Sequence, residues 1–188
     1  MSWDRYGLAL MIGYDAGLRA EEMLHLRSGH LILMDAVHAL SGSARVLIYL
    51  GVTKTGHRDN RLDAVKVECP KLCTVISRFL VKIDHADVPL IPSAKAFRST
   101  SKAAMKVLGL QEHNLQLYGV RRGAATSTFA RTGSYDFVAE RGRWSSHKVM
   151  KSYLNEAMRD QTETKFSATS RAAIEKYAKI DWKKFTVG

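Results

Sequence analysis

With 188 residues and an ordinary apolar share of 46%, the chain is long enough for one full-sized core and at most a small appendage. No apolar run approaches the roughly 20 residues that span a bilayer, and Met1-Ser2-Trp3-Asp4 lacks the basic stretch and apolar block of a signal peptide. A membrane-spanning or exported protein is thereby set aside, and an intracellular location is expected: the cytoplasm of a prokaryote or the nucleus of a eukaryote. Lysine and arginine total 29 against 18 acids, and the resulting +11 points to a polyanionic partner, since each phosphate neutralised releases condensed counterions.

In chain order, residues 4–16 read as a helix, with Leu8, Met11, Ile12 and Ala16 on one side and Gly17 ending it. A short second helix follows, with Glu21 and Glu22 in its first turn, where acids suit the helix dipole. Residues 30–36 and 45–50 are apolar, β-branched runs split by the turn-forming Ser41-Gly42-Ser43. Thr53-Lys54-Thr55-Gly56-His57 reads as another turn, leading into a third strand near 60–67. The remainder is helical by period: 70–83, 93–108, 116–131, 134–142, 146–158 and 167–179. In the 146–158 helix, Val149, Met150, Tyr153, Leu154 and Ala157 form an apolar face. Cys69 and Cys73 flank Pro70, which opens a helix. Two cysteines with no histidine pair at ligand spacing make no structural zinc site, so both are expected to be buried thiols and no metal or cofactor is expected. Without repeats, low-complexity tracts or a linker, the chain reads as one domain, 1–188. The expected fold class is α+β, mainly α, with a small three-stranded antiparallel sheet set among helices.

Four local patterns carry chemistry. Gly17-Leu18-Arg19-Ala20-Glu21-Glu22 is a helix break followed by an arginine and, three residues later, an acid. Val52-Thr53-Lys54-Thr55-Gly56-His57 puts a lysine at a hairpin tip. Tyr118-Gly119-Val120-Arg121-Arg122-Gly123 opens a helix, and Gly142-Arg143-Trp144-Ser145-Ser146 is followed by Tyr153, nine residues after Trp144. In order and spacing these resemble the catalytic domain of the tyrosine recombinase (phage integrase) family. That family uses an arginine in a Gly-Leu-Arg box, a β-hairpin lysine, a His-x-x-Arg box, a His or Trp, and a tyrosine nucleophile nine residues beyond it. The resemblance runs from Gly17 to about Glu156. It implies a tyrosine-recombinase catalytic-domain fold and a DNA strand transferase that needs neither metal nor ATP. Tyr153 would attack, a 3′-phosphotyrosine would form, and a 5′-hydroxyl of a partner strand would later reverse the step.

The residue types suit that chemistry. Attack on a phosphodiester builds negative charge on the non-bridging oxygens, and a planar, permanently charged guanidinium donates two hydrogen bonds at once. Arg19 and Arg121 are therefore the expected phosphate clamp. Glu22, one turn beyond Arg19, either orients that guanidinium or simply serves the dipole. The expelled 5′ oxygen needs a proton, and the resemblance assigns its delivery to Lys54, with Lys66, Arg58 and Arg61 as neighbouring basic candidates. Tyr118 stands where the family has histidine; a phenol can hydrogen-bond a phosphate oxygen but is a poor base near neutral pH. Trp144 can donate its indole N–H but moves no proton. Periodicity alone makes Tyr153 a core residue; the resemblance makes it the nucleophile.

The implied partner is double-stranded DNA. Self-association on DNA through the C-terminal helix, residues 167–179, is implied as well. The family's N-terminal DNA-clamping domain is not part of these residues. Two alternatives are a type IB topoisomerase-like activity, which relaxes DNA with the same chemistry, and a non-catalytic DNA-binding module on the same fold.

Overall fold

The structure is a computed structural model, and it describes residues 3–34, 45–51, 63–113, 116–154 and 166–179. Helix α1, Trp3–Asp15, buries Tyr6, Leu8, Ala9 and Ile12 at helical spacing. It ends where Gly17 turns left-handed at φ +61°, with Leu18 N–H reaching back to Gly13 at 3.0 Å. Helix α2, Ala20–Leu24, starts at once, and a single 3₁₀ turn, Ser28–His30, leads into the sheet. Strands β1 (Leu31–Leu33), β2 (Val46–Gly51) and β3 (Asp63–Val67) form an antiparallel sheet in the order β1-β2-β3, with Leu31 opposite Ile48 and Ile48 opposite Val65. Leu31, Val46, Ile48, Val65 and Val67 point into the core, while Ile32 and Tyr49 face outward, the alternation of a sheet covered on one side.

Six further helices follow among the described residues, four of them opened by a cap or proline that the sequence displays. Helix α3, Pro70–Lys82, begins with its proline at the first turn. Helix α4, Ala94–Val107, is capped by Ser93; α6, Tyr135–Gly142, by Ser134; and α7, His147–Lys151, by Ser146. Between them lies α5, Leu117–Thr132, stopped by the left-handed Gly133. Helix α8, Ala168–Ala178, follows. The molecule is mainly helical with a small three-stranded antiparallel sheet, the class the sequence predicts.

Three expectations change. The helix expected over 146–158 stops at Lys151: the Ser152 hydroxyl takes the Val149 carbonyl at 2.6 Å, and Tyr153 N–H bonds Met150 three residues back. That side-chain bond competes with the next helical turn. Of the expected apolar face, Met150 is fully buried and Tyr153 and Leu154 are half-buried against it, but Val149 is exposed. Cys73 is buried as expected, whereas Cys69, at the mouth of α3, is only half-buried.

Apolar side chains divide into two clusters. The larger joins α1, α2, the sheet, α3 and the start of α5. The smaller gathers Ala125, Val138, Ala139 and Met150, with Phe129, Trp144, Tyr153 and Leu154 packed on it. The candidate site lies on the seam between them.

Candidate active site

Three helix ends meet at this seam. The end of α1 supplies Gly17, the start of α2 supplies Arg19 and Glu22, and the end of α6 supplies Gly142, Arg143 and Trp144. A helix C-terminus leaves carbonyls without an intrahelical partner, and here a buried arginine takes one from each of two helices. Arg121 sits in the apolar stripe of α5 with Leu117, Val120, Ala124 and Ala125, only 4% exposed. Its Nη1 donates to the Gly17 carbonyl and its Nη2 to the Gly142 carbonyl. Burial, together with the charges of Arg19 and Arg143, pushes its pKa down to about 10, so it stays cationic at neutral pH.

Arg19 precedes α2 as its cap residue and is one-third exposed. Glu22 reaches back to accept its backbone N–H at 2.7 Å and its Nη1 at 2.9 Å, the acidic half of a capping box. The same carboxylate receives both ends of Arg143, at 3.0 and 2.6 Å. Burial works to raise the Glu22 pKa, but the Arg143 hydrogen bonds and charge, with those of Arg19, outweigh it and hold the carboxyl below its ordinary value. Glu22 thus hydrogen-bonds the Arg19 guanidinium from the first turn of α2, where an acid also suits the helix dipole.

Three rings continue from Arg121 in a chain of contacts, the ring pairs tilted against each other. The Trp144 ring lies over the Arg121 guanidinium at 4.2 Å. Trp144 and Tyr153 have ring centroids 5.2 Å apart, and Tyr153 and Tyr118 are 5.3 Å apart. Tyr118 is half exposed, and its hydrogen bond with Tyr153 and slight burial hold its proton more firmly than in a free phenol. Trp144 owes its place to Gly142, where a Cβ would come within 1.7 Å of the ring.

The structure thus brings together Arg19, Glu22, Tyr118, Arg121, Trp144 and Tyr153, which are separated by up to 134 positions in sequence. Lys54 lies outside the described residues, as do Arg58 and Arg61; Lys66 is an exposed strand residue of β3. Arg143 stands inside a predicted motif, yet the sequence assigns it no role: its link to Glu22 spans 121 positions and has no local signature. Among the described residues no three His, Cys, Asp or Glu side chains gather as a metal site would need. Farther along the surface, Arg98, Lys102, Lys106 and His113 line a cavity of about 470 Å³ beside α4. Comparison with protein-family models, with curated proteins and with solved structures finds no match to this chain.

Proposed function

We propose that this chain is the catalytic domain of a tyrosine recombinase, with that family's catalytic-domain fold, cleaving and rejoining DNA through Tyr153. One observation carries the reading. Arg19, Arg121, Trp144 and Tyr153, chosen by motif from separate stretches, form one contiguous cationic-aromatic cluster with Tyr118 at its edge. The Tyr153 oxygen attacks phosphorus and sheds its proton, the 5′ oxygen departs with a proton, and the resulting 3′-phosphotyrosine keeps the bond energy for rejoining. Arg19 is open enough to reach a phosphate. Arg121 gives two of its five N–H groups to carbonyls, and the others, with its charge, serve the developing phosphorane. The Trp144 indole N–H adds a neutral donor. The net charge of +11 and the basic cavity beside α4 suit a DNA backbone.

A second reading has an observation of its own. Arg121 also serves as a brace between two helix ends, a role that a non-catalytic DNA-binding module on the same fold would retain. Incubation with nicked suicide-type DNA, followed by denaturing gels, separates the two. A recombinase gives a covalent protein–DNA adduct that disappears in Tyr153→Phe while DNA affinity stays nearly unchanged. An adduct that survives in Tyr153→Phe moves the nucleophile to Tyr135 or Tyr177. DNA binding without any adduct selects the module.

A further inference from the structure

Arg143 adopts the left-handed conformation, φ 56° and ψ 45°, as it closes α6. Glycine is the residue that takes this position without strain; a residue with a Cβ there is strained. Backbone strain of this kind persists where the surrounding structure holds it, and it often marks a functional position. The side chain is mostly buried, at 16% exposure, and its two Nη atoms grip both oxygens of Glu22.

Every group of the proposed clamp touches this turn. Arg19 has Nη1 on Glu22 and Nη2 on the Arg143 carbonyl, at 3.4 Å. Arg121 has Nη2 on the carbonyl of Gly142, the residue before. Trp144, the residue after, folds back over Gly142 and Arg121. Charge points the same way. Without Arg143, Glu22 would cancel half the positive charge of Arg19 and Arg121. With it, three guanidinium groups face one carboxylate, and the clamp keeps two net positive charges for a phosphorane that carries up to two negative ones.

We infer that Arg143 is a positioning residue for the phosphate clamp: through Glu22 and its own carbonyl it sets Arg19, and through its left-handed turn it sets the Gly142 carbonyl for Arg121 and the ring of Trp144. The inference rests on the recombinase reading for its catalytic consequence but not for its geometry. Arg143→Gly is the informative variant, because it removes the side chain while relieving the backbone strain and leaves Glu22 its bond to Arg19; a circular dichroism spectrum and urea midpoint near the parent's check that it is folded. On nicked DNA it slows adduct formation about a hundredfold, the usual result of misplacing a reacting contact, with DNA affinity little changed. Replacing one non-bridging oxygen of the scissile phosphate by methyl removes much of the charge the clamp meets, and on that methylphosphonate DNA the deficit shrinks below about tenfold. A role confined to stability leaves the deficit equal on both substrates, and an unslowed Arg143→Gly also overturns the inference.

A second measurement needs no catalysis. In side-chain NMR of arginine guanidinium groups without DNA, Arg19 signals (identified by their loss in Arg19→Lys) are resolved and slow to rotate in the parent. In Arg143→Gly they average. Unchanged Arg19 signals refute the positioning role even if the parent forms no adduct, the outcome that would instead remove the recombinase reading.

Discussion

At the scale of single residues, two groups have consequences that follow from contact alone. Gly142 has the Trp144 ring where its side chain would be, so Gly142→Ala must drive the indole off Arg121 and Tyr153. Overpacking of this kind costs about 2–3 kcal/mol, read as a fall in urea-unfolding free energy. Gly119 is the control: it is helical, a Cβ there meets nothing, and Gly119→Ala should stabilise by about 0.5–1 kcal/mol. Equal effects at the two glycines would contradict the packing. Glu22 carries a pH signature. Its folded pKa is depressed below the ordinary 4.5, so its contribution is complete above that value and is lost as pH falls through the folded pKa. Glu22→Gln is therefore less stable than the parent at pH 7, and the gap in urea midpoint narrows toward pH 3. A gap that holds constant to pH 3 would show that the Glu22 charge is not what binds Arg19 and Arg143.

At the scale of elements, the site depends on how α6 docks. Arg141, 11% exposed, bonds the Asp15 carbonyl and carboxylate at the end of α1 and the Glu68 carboxylate at 2.9 Å just beyond β3. Asp15 in turn accepts the backbone N–H groups of Glu68 and Cys69 at 2.8 and 3.2 Å. One ionic knot thus ties three element ends together, two residues from Gly17 on one side and one from Gly142 on the other. Arg141→Ala leaves the mostly buried Asp15 carboxylate without its cationic partner and the exposed Glu68 with only Arg131, with an expected loss of about 2–3 kcal/mol in urea denaturation. The exposed pair Arg27–Asp87, with side chains 42% and 55% exposed, provides the contrast, since Arg27→Ala should stay within about 1 kcal/mol. A loss at Arg141 no larger than at Arg27 would mean that α6 is held by its apolar face alone.

At the scale of the molecule, the net charge of +11 supports the proposed DNA partner. On that proposal, binding through phosphate contacts gives a log affinity that falls with log salt at a slope of several units, close to one per phosphate neutralised. If the α4 cavity follows the DNA backbone, Lys102→Glu weakens binding across all sequences and lowers that slope by about 1. Fluorescence anisotropy over low to moderate salt measures both. A flat salt dependence in the parent would remove nucleic acid as the partner, and with it the recombinase reading.

Local periodicity and chemistry placed most of the elements, though not the early end of α7 at Lys151. Pro70, Ser93, Ser134 and Ser146 mark helix starts, Gly17 and Gly133 mark stops, and alternating apolar residues mark the sheet, because caps, turns and amphipathic faces are written within a few neighbouring residues. Arg19, Tyr118, Arg121, Trp144 and Tyr153 were legible as candidates only through the resemblance of their short motifs, in order and spacing, to the tyrosine recombinases; periodicity alone made Tyr153 a core residue. Tertiary structure decided their relations. The burial of Arg121 depends on two helix ends presenting free carbonyls to it, and the place of Tyr118 depends on where the chain turns after Lys151. Arg143 is the fullest case: its turn is left-handed and its carboxylate partner lies 121 positions away. Neither property has a sequence period, since both arise only when the ends of α1 and α6 and the start of α2 are packed against one another.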